Sequence, residues 1–231
     1  MNQTAATQAS AESSTHVTAV RVLLTCGAIS SVLYIGADIL AAALWKGYSY
    51  TSQQVSELSA IGAPTRPFWI AMSIVFALLV FAFGTGVWLS AGQRRPLRVT
   101  AILLVAFGII AVLWVLLAPM HLRGTVALAT DVPHIVFAGV QLLVMVLFMA
   151  FGSGVHGKGF RIYSIVTIVA MLGFGAVPST QIQAIAAGQP TPWMGAVERV
   201  SVYLPILWVL VFAVVLLTAH NVDGATARSN S

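Results

Sequence analysis

The chain has 231 residues, and only 17 of them, 11 Lys or Arg and 6 Asp or Glu, carry a formal charge. Charged residues make up 7% of the composition, against roughly 25% in an average soluble domain, while hydrophobic residues reach 59% and the mean hydropathy is +0.95. A water-soluble fold cannot cover its surface with so few charges, and disorder needs the opposite composition, so the chain is read as an integral membrane protein. The net charge of +5 does not indicate a nucleic-acid partner, because the cations are scattered between apolar spans rather than gathered on one face. The single cysteine, Cys26, lies in an apolar run, so no intrachain disulfide can form.

Residues 1–18 are rich in Ala, Ser and Thr without periodicity and are expected to be a disordered tail, as are residues 220–231. Between them the charge-free gaps set the spans. Arg66 to Arg94 encloses 27 uncharged residues, Arg98 to Arg123 encloses 24, Asp131 to Lys158 encloses 26, Arg161 to Glu198 encloses 36 and Arg199 to Asp223 encloses 23. The first apolar run, Arg21 to Trp45, is interrupted only by Asp38. It is too long for a signal peptide and is kept as a permanent helix. A helix needs about 20 residues to cross the hydrocarbon layer. The sequence therefore predicts an all-α, polytopic membrane bundle of six helices near 19–45, 67–91, 98–119, 131–153, 161–181 and 192–219, forming one domain over residues 19–219. Membrane strands are excluded, since they need alternating segments of about 10 residues.

The loops orient the bundle. Residues 92–98 and 154–161, with Arg21 and Arg228, place seven cations on one side, and Lys46, Arg66, Arg123 and Arg199 place four on the other. The positive-inside bias predicts both termini in the cytoplasm, in the plasma membrane. On the outer side Thr65-Arg66-Pro67, Thr130-Asp131-Val132-Pro133 and Thr191-Pro192 precede inward-going helices, with threonine as the expected cap and proline in the first turn. Trp45, Trp69 and Trp193 lie near the same boundary, as an aromatic belt would. Residues 46–66 are long enough for structure: a Thr51-to-Gln54 capping box, followed by Val55, Leu58 and Ile61 at every third position, predicts a short amphipathic helix in this first outer loop. Residues 55–65 also echo residues 181–191, sharing Ala, Gly, Pro and Thr at matched positions, a pattern that chance or parallel repetition would both produce.

Asp38, Glu57, Asp131 and Glu198 all fall on the outer half, with His121 and His134, and the other half of the bundle has no acid. Asp38 precedes Trp45 by seven residues, and Glu198 follows Pro192 by six, so both lie about 10 Å inside the boundary at 1.5 Å per residue. Ionisable groups at that depth face a bundle interior or a wet cavity. Two accounts stand side by side: a polar pocket open to the outside, or a structural ion pair such as Asp38 or Glu198 with Arg123. In the pocket account Arg199 pairs with Glu57 or Asp131 while Glu198 faces the pocket. Asp131, His134 and His121 have metal-ligand chemistry but lack an accompanying motif, and Asp131 is equally a favourable charge at a helix N-terminus, so no metal is assigned. Ser56 lacks a nucleophile elbow and reads as a solvated serine. No phosphate loop or dinucleotide fingerprint is present, and no cofactor is assigned. Gly84, Gly86, Gly139, Gly173 and Gly175 are expected at close helix contacts, and Pro178 with Ser179, Thr180 and Gln181 at a break near the outer end of the fifth helix.

The stretch Tyr48-Ser49-Tyr50 followed by Val55-Ser56-Glu57-Leu58-Ser59-Ala60-Ile61-Gly62-Ala63-Pro64 resembles the first-loop signature of domain of unknown function 998, a family of small, mostly prokaryotic six-helix membrane proteins. His134, and Gly195 with Glu198-Arg199, are similar to its later motifs, and the resemblance covers about residues 19–219. It implies fold and membrane location without an activity. It also directs attention to Ser56, Glu57, His134, Glu198 and Arg199, which with Asp38 form the candidate ligand-binding set. The expected function is binding or transport of a small polar molecule or lipid headgroup. The alternatives are an accessory membrane subunit, or an enzyme acting on lipid-linked substrates at the outer leaflet.

Overall fold

The structure, a computed structural model, describes residues 2–229, with side chains for residues 15–220; the expectations for the two tails fall almost wholly outside the latter range. Its elements are α1 (Asn2–Leu44), α2 (Arg66–Ser90), α3 (Arg95–Leu117), α4 (Val132–Gly152), α5 (Gly157–Ser179), the short α6 (Ile182–Ala186) and α7 (Met194–Ser229). Six segments are long and apolar enough to cross a membrane: Thr15–Leu44, Arg66–Ser90, Arg95–Leu117, Leu128–Val155, Gly157–Ser179 and Met194–His220. The chain is thus a multi-pass membrane protein, and each span lies within a few residues of its charge-gap limits. Helices are the form such runs must take, because lipid cannot satisfy backbone N–H and C=O groups. Pro178 lies in the last turn of α5, which ends at Ser179, and the chain then makes the single extra turns of α6.

The spans pack in the order α5, α7, α1, α2, α3, α4, and α4 meets α5 and α7 only sparsely. Without a hydrophobic force between helices in lipid, close packing of small residues sets the tight pairs. A Cβ at Gly86 would lie 2.8 Å from the Leu23 side chain on α1, and one at Gly84 would lie 2.8 Å from Val105 on α3. Gly139 and Gly173 differ from expectation, since a Cβ at either would meet nothing within 4 Å. In the half of the bundle near the short 91–94 and 153–156 connections, Phe83, Phe148, Phe160, Trp208 and Phe212 form a continuous aromatic core. There Trp208 stacks on Phe212 at 4.7 Å, its indole donates to Ser164 at 2.9 Å, and Gly152 leaves room for its ring. This layer ties α4 to α7 at one end of the bundle only.

At the other end the three long connections lock together. Ile61 N–H donates to Met120 O at 2.8 Å, and Gly124 N–H donates to Ile185 O at 3.1 Å, so the segment 120–124 lies between the first and third connections. Gly124 and Gly188 both have positive φ (+71° and +66°), and a Cβ on Gly124 would lie 3.0 Å from the Gly188 backbone; any side chain there would be strained and obstructed. The predicted amphipathic helix is a 3₁₀ turn, Val55–Ser59, which suits a three-residue repeat better than an α-helix does. Its cap lies three residues later than expected, with Gln54 N–H donating to the Glu57 carboxylate at 3.0 Å. The threonines do not cap their helices. Thr65 instead donates to Leu58 O at 2.7 Å and Thr191 to Ser52 O at 2.9 Å, so both fasten the first connection. Trp69 is buried against Tyr34 rather than placed in a lipid-facing belt, whereas Trp193 is exposed. The two echoing segments each hold one short helical turn and then a positive-φ glycine, Gly62 or Gly188.

Candidate functional site

Two arginines organise the long-loop end. Asp38 on α1 and Arg199 on α7 are 0% and 3% exposed. Arg199 Nε and Nη2 donate to the two Asp38 oxygens at 2.8 and 3.0 Å, a bidentate fork that fixes the angle between α1 and α7. The remaining donors reach Tyr48 Oη at 2.7 Å and the carbonyls of Tyr50, Gln53 and Gly195 at 2.6, 3.1 and 3.2 Å. The Tyr50 ring lies 3.6 Å from the guanidinium carbon, close enough for a desolvated cation–π contact. The Tyr50 and Tyr203 hydroxyls both donate to Asp38 Oδ2. Burial raises the Tyr48 and Tyr50 phenols above their ordinary values, with Arg199 opposing the rise at Tyr48, so both stay neutral donors. The expected partner of Arg199, Glu57 or Asp131, is corrected to Asp38, which stands at the same depth on the adjacent helix.

Glu57 pairs instead with Arg123, whose Nε and Nη2 reach its two oxygens at 2.8 and 2.5 Å. This corrects the other expected pairing, of Arg123 with Asp38 or Glu198. Glu57 is completely buried and also accepts from the Gln53 amide at 3.0 Å. Arg123 donates further to Thr191 Oγ1 and Ser52 O, so one side chain joins all three long connections. Its hydrogen bonds to Glu57 raise the Arg123 pKa further, which keeps the buried carboxylate paired. His121 Nδ1 lies 2.7 Å from Asp131, and His121 N–H donates to the same carboxylate. His134 does not join them. Its Nδ1 is 2.9 Å from both Trp114 Nε1 and Ala118 O; an indole N–H can only donate, so Nδ1 accepts and the ring proton resides on Nε2. Among the described residues no three His, Cys, Asp or Glu side chains gather as metal ligands.

Where α4 separates from α5 and α7, a cavity of about 470 Å³ opens below the connections. Of the six candidate residues, Ser56, His134 and Glu198 lie on its wall, whereas Asp38, Glu57 and Arg199 do not. Its body is apolar, with Phe76, Phe107, Leu142, Met145 and Ile206 among the lining residues, and Gly139 also faces it. Glu198 Oε2 accepts from Val55 N–H at 2.7 Å, and Glu198 makes no ion pair among the described residues. The candidate set is therefore divided: three groups are consumed in holding the bundle and its loops together, and three keep hydrogen-bonding capacity toward a shared space. The pocket is also more apolar than its sequence residues implied. Sequence reasoning passed over Trp114 and Gln141, although a lone glutamine within the apolar run 132–157 is visible as a polar break.

A family model described as Protein of unknown function (DUF998) matches residues 28–215, a stretch that includes both arginine clusters and the cavity wall. The chain belongs to this family. No curated protein and no solved structure gives a significant match. In this DUF998 chain the Tyr48-Ser49-Tyr50 and Ser56-Glu57-Leu58 stretches supply the partners of Arg199 and Arg123, so the loop signature doubles as a set of loop fastenings.

Proposed function

We propose that the protein binds an amphiphilic small molecule or lipid in the cavity between α3, α4, α5 and α7, with its polar group at the mouth against Glu198, His134 and Ser56. The observation that carries this reading is the contrast between satisfied and unsatisfied polar groups. Arg199, Asp38, Glu57 and Arg123 are fully engaged with one another and with backbone carbonyls. Glu198 retains acceptor capacity, and His134 retains an Nε2–H donor, on the wall of the same apolar space. A volume of about 470 Å³ suits a drug-sized or single-chain ligand. The sparse packing of α4 against α5 and α7 offers entry from the bilayer. The aromatic layer at the opposite end supports binding over passage through the bundle, and the seven-to-four cation bias favours a mouth on the outer face of the plasma membrane, with cytoplasmic termini.

The test is mass spectrometry of molecules retained by protein purified in nanodiscs. Wild type is expected to retain a defined species in near-stoichiometric amount. Gly139→Phe, which places a ring in open space on the cavity wall, is expected to lose it while unfolding at the same temperature. An identical retained set in both proteins would sink the proposal.

A further inference from the structure

Gln141 lies nine residues beyond Val132 on α4, about 13 Å along the helix and near the middle of the span. Its side chain is buried, at 4% exposure, and belongs to the cavity wall. Its amide nitrogen donates to Phe107 O at 3.3 Å, and its Oε1 has no partner. Rotating the amide by half a turn would set two acceptors against each other, so the chemistry fixes Oε1 as the atom left over. An unpaired buried acceptor is destabilising, and one inside a membrane span calls for a partner the protein does not provide. Water is a poor answer, because a buried water needs two to four polar partners, and the neighbouring wall residues Phe107, Ala138, Leu142 and Met145 offer only apolar side chains.

His134 and Gln141 stand seven residues apart on α4, two turns and almost the same direction, separated by about 10 Å. We propose that the deep end of the cavity selects a hydrogen-bond donor: the occupant is an elongated amphiphile whose buried part carries a hydroxyl or amide N–H about 10 Å from the group held at His134. This rests on the binding function above and specifies its ligand class. The apolar wall holds the body of the molecule, Glu198 and His134 hold its head, and Gln141 Oε1 accepts from the buried donor. A simple acyl chain would leave Oε1 stranded and bind less well.

Two probes of equal length separate these cases: octanediol with a hydroxyl at each end, and octanol with one. Binding to wild type, Gln141→Met, Gln141→Leu and Gly139→Phe is measured by calorimetry in nanodiscs, after subtracting partition into protein-free discs. Wild type is expected to hold the diol roughly tenfold more tightly than octanol, the effect of one donor reaching an otherwise unpaired acceptor. The two Gln141 variants are expected to bind both alcohols alike at the octanol level, and Gly139→Phe neither. Two Gln141 variants are used so that misfolding of one does not decide the result. Equal affinity of wild type for both alcohols would overturn the donor requirement while leaving the cavity a binding site. A diol preference surviving in both Gln141 variants would remove Gln141 as its origin. Absence of binding of either alcohol to wild type would overturn the cavity function and this inference with it.

Discussion

Arg199 shows how a single side chain becomes indispensable in a membrane bundle. Its charge stands in the span Met194–His220 at 3% exposure, and it is tolerable there only because Asp38, Tyr48 and three carbonyls use its donors. Breaking a buried pair on one side leaves the other charge uncompensated, which costs about 3–5 kcal/mol. Arg199→Ala is therefore expected to lose that much stability, or the folded protein altogether. Lys46→Ala, at an exposed cation with no ion pair among the described residues, should change it by no more than about 0.5 kcal/mol. Fluorescence-detected thermal unfolding in detergent reads both, and similar losses for the two variants would refute the buried-pair account. His134 illustrates the opposite case, in which a neutral ring is steered by Trp114 so that one nitrogen is committed and the other is free.

Among the elements, the long-loop end behaves as one unit. The 3₁₀ turn Val55–Ser59 is held by Thr65 from α2, by Arg123 from the second connection and, at Val55 N–H, by Glu198 from α7. Gly195 at the start of α7 makes this possible: a Cβ there would lie 2.1 Å from Gln53 O and 2.7 Å from Tyr50 O, the two carbonyls that also receive Arg199. Gly195→Ala is thus expected to push the first connection off α7 and weaken the Arg199 fork, at a cost of about 1–3 kcal/mol typical of overpacking. Hydrogen exchange should rise over residues 48–56 and remain unchanged over α2 and α3. Uniform exchange in the variant and the wild type would argue that the loop does not depend on this close approach.

At the scale of the whole molecule, the bundle is sealed by aromatic rings at its short-turn end and left open between α4 and α5 at its long-loop end. The proposed sidedness has a direct check. In a Cys26→Ser background, Lys46→Cys, Ala127→Cys and Gln189→Cys, all exposed positions, should react with an impermeant maleimide on intact cells. Gln93→Cys and Lys158→Cys should react only after lysis. The reverse pattern would turn the cavity mouth to the cytoplasm and contradict the proposed orientation.

Six spans, their limits and the concentration of acids at one end were legible in the residue order, because the hydrocarbon thickness and the exclusion of charge from lipid act on the sequence directly. The depth of Asp38 and Glu198 followed from the same arithmetic. The pairings did not. Arg199 had acids available at similar depth, and only the placement of α1 beside α7 chose Asp38, just as the crossing of the three long connections gave Glu57 to Arg123. The cavity was also beyond the sequence, since Gly139 and Gly86 are alike in a string of letters: one faces a gap and the other a neighbouring helix. Span formation depends on each segment and the bilayer alone, whereas pairings and voids depend on which helices become neighbours, and helix adjacency is decided by side-chain packing across the whole bundle.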